Sequence, residues 1–395
     1  MLNPHILSEE VQSYIREHAQ ADPGAIALKG SPFAEVSASE LAQQIEGFQK
    51  VQKKIPAWLQ ANAKIYFPEK LNLEQCSSAP TGAFKASLLR PHCSVLDLTG
   101  GFGVDSYYFA QVADSVQHCE INPKLSAIVA HNFKVLGLRQ SRCYSGDGLA
   151  FLAQSEQHYD YIYADPSRRI NNQKVFRLED CEPNMVAQQD LLFEKAEVLI
   201  TKLAPLLDIS LALHSLKAVK AVYVVSLDND CKELLFVQEK GFQGNPQLHA
   251  VRLLPSGPQV FSFDHAQEKV AEPDFALPSK YLYEPDVAIS KAGAFKSVAT
   301  HYGLAKLHQH SHLYSSQTLV ADFPGRIFDI VDVIPLSQFK KQNPLPKANV
   351  IAKNFPLKVD AIRKKFKIKD GGQDYLYFTS LFNQENVVIQ AKRLH

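Results

Sequence analysis

The spacing of apolar residues changes several times along the chain, and each change predicts an element. From Glu9 to His18 and from Ala38 to Gln52, apolar residues recur at helical spacing between charged ones. A helical N-terminal region over residues 1–85 is therefore expected, with Ser37 or Ser39 capping the second helix. From residue 86 the pattern shortens into brief apolar runs separated by helical stretches. Strands are expected at 95–97, 114–122, 142–148, 159–164, 200–205 and 221–226, with a closing hairpin at 249–253 and 259–263 around Pro255-Ser256-Gly257-Pro258. Helices are expected from Pro123 to about Leu136, from Gln188 to Leu199, and through Glu233 and Phe236. Strand–helix alternation of this kind predicts an α/β fold with a Rossmann-like, seven-stranded sheet over residues 86–265. A new pattern starts near Phe275. It contains an expected helix at 284–293, with Pro285 at its first position, and an alternating strand at 374–380. Small α+β domains at 266–320 and 321–395 follow from this.

The chemistry concentrates where the first strand ends, in Asp97-Leu98-Thr99-Gly100-Gly101-Phe102-Gly103-Val104-Asp105. Glycines after a buried strand let the backbone approach a ligand, and the helix start beyond them offers unpaired N–H groups. A nicotinamide-type turn would place glycine or alanine at 106, where this chain has Ser106. An acid at 97 would repel a pyrophosphate but suits the ammonium and sulfonium of S-adenosylmethionine. Two further acids end the next strands. Glu120, followed by Ile121, lies 23 residues after Asp97, near the interval at which a carboxylate meets ribose hydroxyls. Asp147, followed by Gly148, ends the third strand. Each acid alone also suits a helix cap.

The fourth strand runs into Asp165-Pro166-Ser167-Arg168-Arg169, where a transferred group would sit. Asp165 is expected to orient or deprotonate a nucleophile, and Arg168 and Arg169 to grip a phosphate or carboxylate, unless they form a surface salt-bridged loop. Upstream, the hydroxyl-rich stretch from Leu73 to Lys85 either resembles the segment that lines the methionine end of the cofactor in several nucleic-acid methyltransferases or is an ordinary capped turn. Lys50, Lys53 and Lys54 read as a solvated helix end.

Charge matters only locally, because the 395 residues carry a formal net charge of +1. Ten basic residues lie between Lys340 and Lys369, opposed within that span by Asp360 alone. Phe355 and Phe366 are interleaved with them. Lys353, Arg363, Lys364, Lys365 and Lys367 are the expected nucleic-acid contacts; the alternative is a solvated face. His301, His308, His310 and His312 lack a carboxylate or cysteine at ligand spacing, so no metal is expected. Six cysteines without C-x-x-C spacing read as reduced thiols, and no stretch has the length of a membrane span. A cytoplasmic location is expected.

The pattern Asp-x-x-x-Gly-x-Gly resembles the first motif of class I methyltransferases, with Thr99 where many members carry another glycine. The Asp165 segment resembles their fourth motif, with Ser167 for the second proline and Arg168 for the aromatic. Taken with Glu284-Pro285-Asp286, Asn354-Phe355-Pro356 and Ile368-Lys369-Asp370-Gly371-Gly372, the chain resembles a bacterial family. Its members join a class I methyltransferase domain to a ferredoxin-like and a THUMP-like domain. The resemblance implies S-adenosylmethionine held by Asp97, Thr99, Gly100, Gly101, Gly103, Glu120, Ile121, Asp147 and Gly148. It implies a reacting centre at Asp165, Pro166, Arg168 and Arg169, and an RNA partner (tRNA or rRNA). Two other functions fit the residues: methylation of a small molecule or protein, and a silent RNA-binding protein that keeps the fold.

Overall fold

The computed structural model describes residues 2–59, 64–167, 169–170, 173–174, 178–342 and 345–394, without the side chains of 169, 170, 173, 174 and 340–342. The chain divides into two compact units, Met1–Lys220 with Leu235–Gly244 and Ala221–Leu234 with Asn245–His395.

The first unit is built on parallel strands β1 (Ser94–Asp97), β2 (Ser115–Glu120), β3 (Ser141–Ser145), β4 (Tyr159–Ala164) and β5 (Ala196–Leu203). β1 pairs with β2 on one side and β4 on the other, β2 continues to β3, and β4 to β5. The order is therefore 5-4-1-2-3. The chain leaves β1 toward β3 and then returns across it to β4, so the carboxyl ends of β1 and β4 flank the switch point where open α/β sheets bind ligands. Helices Val104–Phe109, Pro123–Val135 and Gly148–Gln154 make the crossovers that parallel pairing requires. Val95, Leu96, Val116, Ile162 and Leu199 are all buried, as expected of strands covered on both faces.

The N-terminal helices pack into the same unit. Ser37 closes a capping box with Glu40 at the start of helix Ala38–Lys54. Trp58 is fully buried, with ring centroids 5.0 Å from Phe102 and 5.5 Å from Tyr107. One apolar cluster joins Leu41, Ile45 and Val51 to Phe102, Val104 and Leu125. Each large apolar side chain buried there contributes about 1.5–3 kcal/mol. The glycine turn is thus braced from the N-terminal side. Lys54 departs from the expected solvated end. Its ammonium donates to the carbonyls of Leu73, Glu74 and Cys76 at 2.8, 2.9 and 3.0 Å, closing the end of helix Lys70–Gln75. Burial lowers its pKa.

In the second unit, β6 (Val219–Leu227, from Ala221 on) runs parallel to β8 (Gln247–Leu254), which pairs antiparallel with β9 (Gly257–Phe263) in the expected hairpin. The expected helix through Glu233 and Phe236 is instead strand β7 (Asp230–Glu239). Asp228 and Asn229 both have positive φ (56° and 57°), the geometry of a two-residue hairpin turn. The run Leu234-Leu235-Phe236 is wholly buried, so it shows no alternation that would have marked it as a strand.

Among the described residues a second sheet is built from β10 (Tyr281–Pro285), β11 (Ala305–Lys306), β12 (Tyr314–Ser316), β13 (Gly325–Pro335), β14 (Asn349–Lys353), β15 (Asp374–Ser380) and β16 (Asn386–Arg393). Its order is β11-β12-β10-β13-β16-β15-β14. Pro285 ends β10 rather than opening a helix. Asp286 caps the helix Val287–Ala292, accepting the Ala288 N–H at 2.9 Å. No described helix is long and apolar enough to cross a membrane.

Candidate active site

The turn after β1 is shaped by what lies behind it. A Cβ on Gly100 would fall 1.9 Å from the His118 ring, so only glycine fits there. Gly101 and Gly103 hold φ of +54° and +79°, which other residues adopt at a cost. Ahead of Gly101, a Cβ would meet only the Thr99 carbonyl, at 3.9 Å. The turn is therefore backed by protein and open in front.

Asp97 lies in the backing of the turn. It is 1% exposed, and its carboxylate accepts the Ser106 hydroxyl at 2.6 Å and the Thr99 N–H at 3.1 Å. Burial pushes its carboxyl up to about 7. His118, equally buried, lies with Nδ1 3.1 Å from the Ser106 oxygen, and burial pushes its imidazole down to about 3. Removal from water favours the neutral form of both groups, and Ser106 links them. Glu120 faces the turn from the end of β2. It accepts the Gly101 N–H at 3.0 Å and the Asn122 N–H at 2.7 Å, while burial raises its pKa. The next residue, Ile121, is 71% exposed. Asp147 lies beyond β3, which stops at Ser145, and is a helix cap. One of its oxygens accepts the N–H groups of Leu149 and Ala150 at 2.7 and 3.1 Å. Gly148 is needed because a Cβ there would sit 2.4 Å from the Leu98 carbonyl.

Thr99, the departure from the usual glycine, accounts for itself. Its hydroxyl accepts the Asp165 N–H at 2.6 Å, tying the turn after β1 to the loop after β4. Asp165 in turn ion-pairs with Lys202 on β5. Pro166 is buried, and Ser167 pairs through its backbone with Glu182 at 2.6 and 3.0 Å, beside the buried Cys181. Arg168 lies outside the described residues, and Arg169 is described only as backbone, paired with Lys174 in a short hairpin.

A second group went unread in the sequence. Lys85, with no exposed side-chain surface, lies 3.3 Å from Asp105 and 3.2 Å from the Ser77 hydroxyl. Asp105 also accepts from Ser77 at 3.0 Å and Tyr163 at 2.8 Å. Burial works to raise the Asp105 pKa, but Lys85 and Lys202, helped by the two hydroxyls, outweigh it and leave the pKa lowered. The hydroxyl-rich stretch before β1 thus supplies Ser77 and Lys85 to a buried ionic cluster, while Ser78 and Thr81 form the capping box of helix Ala79–Ala86. A charged residue inside an apolar strand, as in Ile200-Thr201-Lys202-Leu203, was the signal that would have found Lys202.

The basic candidates of the second unit divide in two. Lys353 lies 3.1 Å from Glu284, a buried carboxylate that also accepts from Arg326 at 2.5 Å and Tyr377 at 2.7 Å. Arg363 ion-pairs with Asp370. Both partners lie outside the span whose charge was counted, and folding brings them back to it. Lys364, Lys365 and Lys367 are exposed on and beyond helix Val359–Phe366. A cleft of about 660 Å³ nearby in sequence is lined by Asn354, Phe355, Pro356, Leu357, Lys358 and Ser380. Of the histidines, His308 bonds to Asn354 at 2.9 Å and His312 stacks on Phe295.

A parallel 5-4-1-2-3 sheet, a glycine turn after its central strand, an acid at the end of the next strand and an acidic loop after β4 define a class I methyltransferase fold. The chain belongs to the family of a protein from Porphyromonas gingivalis W83 whose crystal structure is described as that of a putative methyltransferase; the two are 31% identical over 100% of both chains, with a TM-score of 0.90. Residues 281–324 match a ferredoxin-like domain family and residues 325–393 a THUMP domain-like family. Two partial likenesses are to a putative RNA methyltransferase, PH1948, from Pyrococcus horikoshii (17% identity, 38% of this chain and 72% of that one, TM-score 0.28) and to M. capricolum TrmK in complex with S-adenosylhomocysteine (17%, 41% and 68%, 0.31). Among curated protein sequences none matches the chain.

Proposed function

We infer that the protein is a cytoplasmic S-adenosylmethionine-dependent methyltransferase acting on RNA, of the tRNA or rRNA class. The observation that carries this reading is the Thr99–Asp165 hydrogen bond, which fastens the glycine turn to the acidic loop on either side of the switch point. The pocket residues fit the cofactor. The open front of Gly101 admits the methionine part against backbone N–H groups. Glu120 has lone pairs left for two ribose hydroxyls, exposed Ile121 offers an apolar face to the adenine, and the Asp147 oxygen not used for capping can meet its amino group. When bound, the cofactor supplies an already activated methyl group. The work left to the chain is alignment and exclusion of water, with Asp165 orienting the acceptor. The name borne by the Porphyromonas relative supports methyl transfer, and the THUMP domain-like match together with exposed Lys364, Lys365 and Lys367 supports RNA.

Transfer of labelled methyl from S-adenosylmethionine to total RNA, by wild type and Asp165→Ala, tests the reading. Label should enter RNA with the wild type and be lost in the variant while cofactor binding persists. Label confined to protein or small molecules would replace the RNA assignment.

A further inference from the structure

We propose that the atom methylated is a hydroxyl oxygen, the 2′-hydroxyl of an RNA ribose, and that Lys202 acts beside Asp165 at the reacting centre; this rests on the RNA methyltransferase reading above. Lys202 reaches Asp165 from the carboxyl end of β5, and the pair is graded toward solvent, with 14% of the lysine side chain exposed and 39% of the aspartate. Behind them lies the second pair, Lys85 and Asp105, joined by Ser77 and Tyr163. The acceptor side of the site thus carries two ammonium groups, each with a carboxylate partner.

The sign of the charge that develops on the acceptor decides between substrates. An exocyclic amine becomes cationic as it takes the methyl group, and an ammonium beside it opposes that change. A hydroxyl develops negative charge as its proton leaves, and an ammonium beside it lowers the cost. Lys202 therefore disfavours an amine and favours an oxygen. The loop agrees. Its sequence replaces the second proline by Ser167 and the aromatic that would stack on a flipped base by an arginine.

In the step itself the ribose hydroxyl gives its proton to the Asp165 carboxylate as its oxygen forms the new C–O bond to the methyl carbon. The S–C bond breaks, its electron pair stays on sulfur, and the sulfonium becomes a neutral thioether. Lys202 keeps its proton throughout and stabilises the oxygen as negative charge develops. Asp165 then releases the proton to water, so the products are a methyl ether, the thioether and one proton.

The test uses the full chain, labelled S-adenosylmethionine and total RNA from cells lacking the protein. The labelled RNA is then hydrolysed with alkali. A 2′-O-methyl group blocks cleavage of the adjoining phosphodiester, so the proposal expects label in alkali-stable dinucleotides. Label in mononucleotides would overturn the hydroxyl assignment while leaving the RNA reading intact. No label in RNA would overturn both. Lys202→Met should lower the transfer rate about 100-fold or more with cofactor affinity unchanged, and Lys202→Arg should restore part of it. Equal rates in wild type and Lys202→Met would remove Lys202 from the chemistry.

Discussion

Lys85 and Lys364 carry the same charge in opposite circumstances. The first is wholly buried and held between Asp105 and Ser77; the second lies exposed on a helix of the second unit. Around Lys85 each charge is fixed by named partners at short range, so position decides what the group can do. Around Lys364 the charges face water, where pairwise interactions are weak and only their number matters. Within one chain, the first region has the character of a reaction site and the second that of an electrostatic surface. In the second unit, the charges that do become fixed, Lys353 on Glu284 and Arg363 on Asp370, leave that surface and enter the unit's internal structure.

The sharpest way to break this contrast is to remove the two lysines separately. Lys85→Met strands the buried Asp105 carboxylate and should cost about 3–5 kcal/mol of stability, as loss of one partner of a buried pair does. Lys364→Met should stay within about 0.5 kcal/mol. Chemical denaturation of both variants measures the difference. Similar losses would dissolve the comparison.

Titration sharpens it next. Asp97, with a folded pKa near 7 against 3.8, favours the folded state most below about pH 4, and that contribution is lost as pH rises through 7. His118, with a folded pKa near 3 against 6.5, works in the opposite direction, its contribution being present above 6.5 and lost as pH falls toward 3. Between pH 4 and 6.5 the two slopes oppose each other in the wild type. Asp97→Asn removes one of them. The variant should gain on the wild type as pH rises from 4 to 7, by an amount of the order of 3–4 kcal/mol at about 1.4 kcal/mol per pKa unit. Denaturation midpoints across that range read the difference, which stays flat if Asp97 is not buried as described.

Smaller effects belong to binding. Glu120→Ala removes a carboxylate that accepts from Gly101, and should weaken S-adenosylmethionine binding about 10–100-fold, matching about 1.5–3 kcal/mol for hydrogen bonds to a charged group. Replacing Lys364, Lys365 and Lys367 together by Gln should weaken RNA binding at low salt and reduce the salt slope by about 2–3. Lys353→Gln should leave the slope nearly unchanged, because that ammonium already sits on Glu284.

The elements that were legible in the sequence share a physical cause. A strand that ends on an acid before Gly100-Gly101-Phe102-Gly103 leaves its pattern in consecutive residues, so the turn and the α/β class are legible directly. What escaped was set by folding. Spacing does not report that the Asp97 side chain is buried behind the turn. Lys202 and Lys85 come from positions 117 residues apart and both bear on Asp105 only once the chain is folded. β7 shows no alternation to mark it as a strand because its middle run, Leu234-Leu235-Phe236, is buried throughout. The charge count near the C-terminus was inflated because Glu284 and Asp370 are neighbours in space that lie outside the counted span.

The central claim is that the turn after β1 holds S-adenosylmethionine against the Asp165 loop. Calorimetric titration of the full chain with S-adenosylhomocysteine tests it most directly. The account predicts one site per chain, weakened in Glu120→Ala and retained in Asp165→Ala. No binding by a folded wild-type chain, or binding indifferent to Glu120, would contradict it.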